Sequence, residues 1–276
     1  MQQVLKTMLE NVRAKTPLVH NITNSVTVND VANVLLAAGG SPIMSDDADD
    51  VEDITSICGG LNINIGTLNK NTIPSMFLAG KKANELGHIV LLDPVGAGAS
   101  RLRTDTANRL MQEVRFDAVR GNISEIKTLC TGSGSTKGVD ADAVDAVTEA
   151  NLDDGVQLVK TFAQRAGCIV AVTGAIDLVS DGERFWCIRN GRAERSRITG
   201  TGCQLSALMT AFLVANPDHK LAAAAAAVCM MGLAGEIGWA NMQPGDGNST
   251  YRNRIIDAIF NMTGDALEKG AKYELR

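Results

Sequence analysis

Short apolar runs rich in β-branched residues alternate along this chain with longer segments in which apolar side chains recur every three or four positions. That is the pattern of strands joined by crossover helices. The runs at 42–44, 61–65, 89–92, 117–119 and 169–172 read as parallel strands, and helical periods occupy 27–38, 49–57, 71–86, 104–114, 123–129 and 155–166. Ile89-Val90-Leu91-Leu92 is apolar on both faces, as a strand covered by helices on each side must be. After residue 172 the alternation stops. Segments 178–180 and 185–188, joined by Asp181-Gly182-Glu183-Arg184, read as an antiparallel hairpin at the sheet edge, and 204–215, 220–237 and 252–269 are helical. The expected fold is α/β, a three-layer arrangement with a mostly parallel central sheet and helices on both faces.

The chain has 276 residues, 45% of them apolar and 21% charged, enough to bury a sizeable core. No linker or internal repeat divides it, so one domain over 1–276 is expected. With 26 Lys and Arg against 31 Asp and Glu, nothing draws it generally to nucleic acid or anionic lipid. The Ala-rich stretch 221–234 is shorter than the roughly 20 residues of a membrane span and reads as a buried helix. Lys6, Glu10, Arg13 and Lys15 interrupt the first segment, which therefore lacks a signal-peptide pattern. A cytoplasmic protein with no membrane or nucleic-acid partner is expected. Six cysteines without a Cys-x-x-Cys pair suit reduced thiols, and only three histidines are available for a zinc site.

In such a sheet ligands gather beyond the carboxyl ends of the strands, so the junctions there are informative. Asp93-Pro94-Val95-Gly96-Ala97-Gly98 places a carboxylate at a strand end and lets backbone approach a ligand, although a tight loop capped by Asp has the same pattern. Arg120-Gly121-Asn122-Ile123-Ser124-Glu125 combines an arginine with the spacing of a helix capping box. Val172-Thr173-Gly174 ends a strand in a hydroxyl. Thr199-Gly200-Thr201-Gly202-Cys203 precedes an apolar helix, whose first amides and dipole form an anion site. No Gly-x-x-x-x-Gly-Lys-Ser/Thr occurs, and Arg101 stands where a dinucleotide fingerprint needs its third glycine. Residues 131–142, rich in Gly and Ser, read as a surface loop or a flap over a ligand.

Other residues read as structural. His20 suits a satisfied strand-end histidine or a pocket wall, and His88 and His219 suit the surface. Trp186 and Trp239 suit the core. The run Asp46, Asp47, Asp49 and Asp50 reads as an acidic first helical turn, and Asn248 or Ser249 as the cap of the last helix.

Taken in order and spacing, Asp93-Pro-Val-Gly-Ala-Gly, Arg120-Gly-Asn-x-x-Glu125, Val-Thr173-Gly and Thr199-Gly-Thr-Gly-Cys203 resemble the ribokinase-like superfamily. Val19-His20-Asn21-Ile22-Thr23-Asn24 and Pro42-Ile43-Met44-Ser45 narrow the resemblance to the hydroxyethylthiazole kinase family, over about residues 16–270. The resemblance implies transfer of the ATP γ-phosphoryl group to the primary alcohol of 5-(2-hydroxyethyl)-4-methylthiazole, in thiamine biosynthesis and salvage. It implies a homotrimer with active sites between subunits. Carried over by motif, Asn24, Val26, Met44 and Gly200 line the thiazole pocket, and Arg120, Thr173, Asn122 and Gly202 hold ATP. Asp93 and Glu125 would hold Mg2+, which accepts one or two carboxylates with waters and phosphate oxygens.

Cys203 departs from much of the superfamily, where an Asp base accepts the alcohol proton. A helix N-terminus can lower a thiol pKa, so Cys203 is read as a proton acceptor, as a hydrogen-bonding group or as a small buried residue filling the helix start. Alternatives are a kinase for hydroxymethylpyrimidine or pyridoxal, an ATP-dependent nicotinamide-nucleotide hydrate dehydratase, and a nucleotide-binding sensor.

Overall fold

The computed structural model describes residues 3–132 and 146–276. The strands, in chain order, are β1 (Leu18–Ile22), β2 (Ser41–Met44), β3 (Gly60–Asn64), β4 (Ile89–Asp93), β5 (Ala118–Asn122), β6 (Ile169–Thr173), β7 (Asp177–Ser180), β8 (Phe185–Ile188) and β9 (Tyr273–Leu275). They form one sheet in the order β2-β1-β3-β4-β5-β6-β7-β8-β9, parallel through β6 and antiparallel from β7 onward.

The helices are α1 (Val4–Lys15), α2 (Val28–Ala38), α3 (Val51–Ile57), α4 (Thr72–Leu86), α5 (Arg101–Glu113), α6 (Ile123–Thr131) and α7 (Leu152–Ala166), followed by α8 (Thr201–Ala215), α9 (Lys220–Ala240), α10 (Asn248–Asn261) and α11 (Gly264–Gly270). Successive strand residues point to opposite faces, so β4 divides its side chains between two cores. Ile89 and Leu91 join α1, α8, α9 and α10 on one side, while Val90 and Leu92 join α4 to α7 on the other. This is the expected three-layer α/β architecture.

Several details differ from the sequence reading. Strand β1 lies next to the sheet edge, although His20 and Asn21 interrupt its apolar run. They are tolerated there because both side chains are hydrogen-bonded inside the protein. Helix α1 and strand β9 are further elements, and β9, not the β7–β8 hairpin, closes that side of the sheet. The segment 252–269 is two helices, because the Thr263 side chain accepts the Ala266 N–H and starts α11. Gly247, rather than Asn248 or Ser249, occupies the cap of α10. The acidic run precedes α3, whose first-turn acids are Glu52 and Asp53.

The flap or loop expected at 131–142 lies, past Thr131 and Gly132, outside the described residues. Helix α9 matches the expected 220–237 to within three residues, and Pro217–Ala240 is long and apolar enough to cross a membrane by length and composition. Its residues are instead packed in the core from nearly every direction, Ala223 to Ala227 being fully buried.

Candidate active site

The carboxyl ends of β3 to β6 converge on the start of α8. Strand register makes Asn64 the neighbour of Asp93 and Asn122 the neighbour of Thr173. Parallel pairing therefore assembles side chains far apart in sequence into one row.

Asp93 is fully buried at the end of β4. Its Oδ2 accepts from Asn64 Nδ2 at 2.7 Å and Ser206 Oγ at 2.8 Å, with Arg120 Nη1 at 3.5 Å, whereas its Oδ1 is buried with no partner. Burial raises its carboxyl above the usual range, against the pull of Arg120 and the hydrogen bonds. Arg120, on β5, donates through Nη2 to Thr173 Oγ1, leaving Nε buried without a partner. Orphaned donor and acceptor atoms of this kind are costly in a dry interior. They point to polar ligand atoms.

Asn122 and Glu125 form the capping box of α6: Asn122 Oδ1 accepts from the Glu125 N–H at 2.9 Å, and Glu125 Oε2 from the Asn122 N–H at 2.8 Å. Glu125 Oε1 also accepts from the Gly96 N–H at 2.8 Å, which ties α6 to the loop after β4. Burial and the nearby Asp93 push the Glu125 carboxyl up to about 7, while the two amides and Arg120 oppose that. The capping-box reading of this motif is present in full.

Gly200 caps α8 with φ +81°, in the left-handed region, and a Cβ there would lie 2.1 Å from Thr27 Cγ2. The backbone thus passes close over the start of α2, and the first amides of α8 point out along the helix axis. Gly202 lies directly beneath the Arg120 guanidinium. Together these donors form a cradle whose chemistry suits an anion.

Cys203 is 8% exposed and shares a small apolar cluster with Val19, Val31, Leu35, Val95 and Ala207, against which Met44 packs. Asn24 Nδ2 donates to its Sγ at 3.1 Å. Burial and then Asp93 raise the thiol pKa, outweighing Arg120. The lowering expected from a helix N-terminus is therefore overturned by desolvation. Asn24, Met44, Gly200 and Cys203 come together, while Val26 is 65% exposed in the single chain.

Two residues absent from the sequence reading complete the site, Asn64 and Ser206. The signal available was Leu61-Asn62-Ile63-Asn64, two asparagines on one face of an otherwise apolar strand. His20 is satisfied by Thr55 Oγ1 and the Ser45 carbonyl, both at 2.9 Å, and is core. Trp186 is buried and Trp239 partly so; His219 is exposed, and His88 is half-buried with Nδ1 unpartnered. No cluster of three or more metal-binding side chains occurs among the described residues.

Residues 9–265 match the hydroxyethylthiazole kinase family. The chain is 56% identical over 271 residues to a hydroxyethylthiazole kinase of Clostridium acetobutylicum, covering 98% of this chain and 99% of that one. A hydroxyethylthiazole kinase structure from Pyrococcus horikoshii superposes with TM-score 0.88 at 32% identity, each chain covered completely. A pyridoxal kinase from Staphylococcus aureus, in complex with AMP-PCP, superposes with TM-score 0.63 at 15% identity over 94% of this chain and 97% of that one, a likeness of fold alone.

Proposed function

Because the chain belongs to the hydroxyethylthiazole kinase family and is a kinase that phosphorylates hydroxyethylthiazole, we propose that the row of side chains at the start of α8 carries out the transfer within the thiamine pathway. The observation that carries this assignment is the juxtaposition of the Arg120, Thr173 and Asp93 group with the Asn24, Met44 and Cys203 pocket across the first turn of α8.

In this reading ATP phosphates rest on Arg120, Thr173, Asn122 and the Gly202 amide. The thiazole lies against Asn24, Val26, Met44 and Gly200. The alcohol oxygen forms its bond to the γ-phosphorus as the bond to the β-phosphate oxygen breaks; ADP leaves, and the alcohol proton passes by way of the transferred phosphoryl oxygens to solvent. Such a transfer passes through a loose transition state, so positioning and charge neutralisation do most of the catalysis and prior removal of the alcohol proton is not demanding. Cys203, with its pKa raised, acts as a neutral thiol that hydrogen-bonds and orients the hydroxyl.

Asp93 and Glu125 would hold Mg2+. The unpartnered Oδ1 of Asp93 fits a cation ligand, and two carboxylates suffice for an ion that keeps waters and phosphate oxygens. When bound, Mg2+ neutralises phosphate charge. Glu125 already accepts two backbone N–H groups, which fix the carboxylate and leave it to act through its remaining lone pairs.

The reading also includes one kinase domain over 1–276, supported by the continuous sheet. It includes a homotrimer with interfacial sites, supported by the exposure of Val26 beside the pocket. A cytoplasmic setting accords with six free thiols and the burial of α9 in the core.

ADP release from Mg-ATP with hydroxyethylthiazole, hydroxymethylpyrimidine or pyridoxal, each supplied separately with a control lacking alcohol, tests the assignment. Release with the thiazole alcohol alone is expected. Release with another alcohol alone would overturn the pocket assignment.

A further inference from the structure

We propose that Asn64 is a positioning residue for the transfer, joining the acceptor pocket to the phosphate side of the site through the two ends of one amide; this rests on the kinase reading above. Asn64 closes β3 and is 1% exposed. Its Nδ2 donates to Asp93 Oδ2 at 2.7 Å. Its Oδ1 accepts from Asn24 Nδ2 at 3.1 Å and from the Gly66 N–H at 2.9 Å. Among the described residues, no other side chain is hydrogen-bonded to both Asp93 and Asn24.

The amide has one workable orientation. Turned over, it would set its oxygen against a carboxylate and its NH2 against two donors. Asn24 is equally fixed: its Oδ1 takes the Thr27 N–H at 3.1 Å and hydroxyl at 3.0 Å, and its Nδ2 also reaches Cys203 Sγ at 3.1 Å. A continuous chain, Cys203 to Asn24 to Asn64 to Asp93, thus runs from the thiol beside the acceptor to the carboxylate beside the phosphates. It is buried throughout, and both amide ends of Asn24 and of Asn64 are hydrogen-bonded, which fixes the two middle members.

The consequence is geometric. Phosphoryl transfer depends on the distance between the acceptor oxygen and the γ-phosphorus, and the Asn64 amide fixes the two walls that set it. Asn64 does not touch the reacting atoms and acts through Asn24 and Asp93.

Steady-state kinetics on Asn64→Asp and Asn64→Ala, with Mg-ATP and the thiazole alcohol varied in turn and rates expressed per folded protein, separate the two ends. Asn64→Asp keeps an acceptor for Asn24 and Gly66 and sets a second carboxylate against Asp93 in place of the amide donor. Its kcat should fall on the order of tenfold or more, as the loss of a hydrogen bond to a charged group implies, with the alcohol KM held within about twofold. Asn64→Ala loses both ends and should also raise the alcohol KM about fivefold or more, leaving the Mg-ATP KM within about twofold. Parental kcat in both variants, or a joint rise of both KM values, would overturn the proposal. If Asn64→Ala does not fold, the near-isosteric Asn64→Asp decides alone through its kcat. Absence of ADP release from the parent protein with any of the three alcohols would instead overturn the kinase assignment, and this inference with it.

Discussion

The Arg120 guanidinium rests on the backbone of Gly202, so closely that a Cβ added there would lie 2.5 Å from Nη1 and 2.7 Å from Nη2. A side chain at 202 and the observed place of Arg120 exclude each other. Alanine is favoured over glycine inside a helix by up to about 1 kcal/mol, so Gly202→Ala should leave the fold intact. The guanidinium must shift away from Thr173 and Asp93. A rise in the Mg-ATP KM on the order of tenfold is expected, together with a lower melting temperature, because the buried Asp93 loses its cation. Unchanged Mg-ATP KM would show that Arg120 does not hold the nucleotide from this position.

The raised pKa of Cys203 leads to a second expectation. A thiol that stays protonated near neutral pH contributes a hydrogen bond rather than a base. Cys203→Ser should therefore retain turnover within about tenfold of the parent, and the parent's kcat should show no thiol ionisation below about pH 9. Complete loss of turnover in the serine variant, with alcohol binding intact by calorimetry, would contradict this.

Asp177 supplies a pH dependence with a definite sign. Burial pushes its carboxyl up to about 6 from 3.8, against Arg195, the Gly174 N–H and Arg120. Between those values the folded protein holds a proton that the unfolded chain has released, so this group's contribution to stability declines as pH rises through the interval. Two pH units correspond to about 3 kcal/mol at most. Asp177→Asn cannot ionise and keeps an acceptor for the Gly174 N–H. Urea unfolding of variant and parent should show a stability difference that moves in the variant's favour from pH 4 to about 6.5 and is level above 7. A difference independent of pH would refute it.

Val26 tests the assembly. It follows Asn24 by two residues and is left 65% exposed, an apolar side chain open to a partner. Light scattering should give three times the 29.1 kDa chain mass for the parent. Val26→Asp should lower that mass and raise the alcohol KM together. A monomeric parent with full activity would remove the interfacial site.

The sequence made Asp93, Arg120, Thr173 and Gly200 to Cys203 readable because each closes an apolar run or opens a helical one, where polar residues and glycine stand out. It made Asn122 and Glu125 readable twice, as a capping box and as a ligand-side pair, and the geometry contains the capping box in full. Asn64 and Ser206 stand out less, Asn64 by sharing one face of an apolar strand with Asn62 and Ser206 not at all. Their role becomes visible when register and packing bring both to Asp93. Strand β1 escaped for a related reason: His20 and Asn21 break its apolar run in the sequence, whereas partners at Thr55, Ser45 and Asn62 make them interior. For Cys203 the helix terminus that can lower a thiol pKa is visible in sequence, and the depth of burial that raises it is not.

Helix α9 has a consequence for how the chain is made. Its apolar surface is covered by α8 and α1, which precede it, and by α10 and α11, which are synthesised later. While residues 248–270 are still within the ribosome, a newly emerged α9 is a greasy cylinder with one side bare. During that interval the chain carries its largest bare apolar surface, which the last two helices then cover.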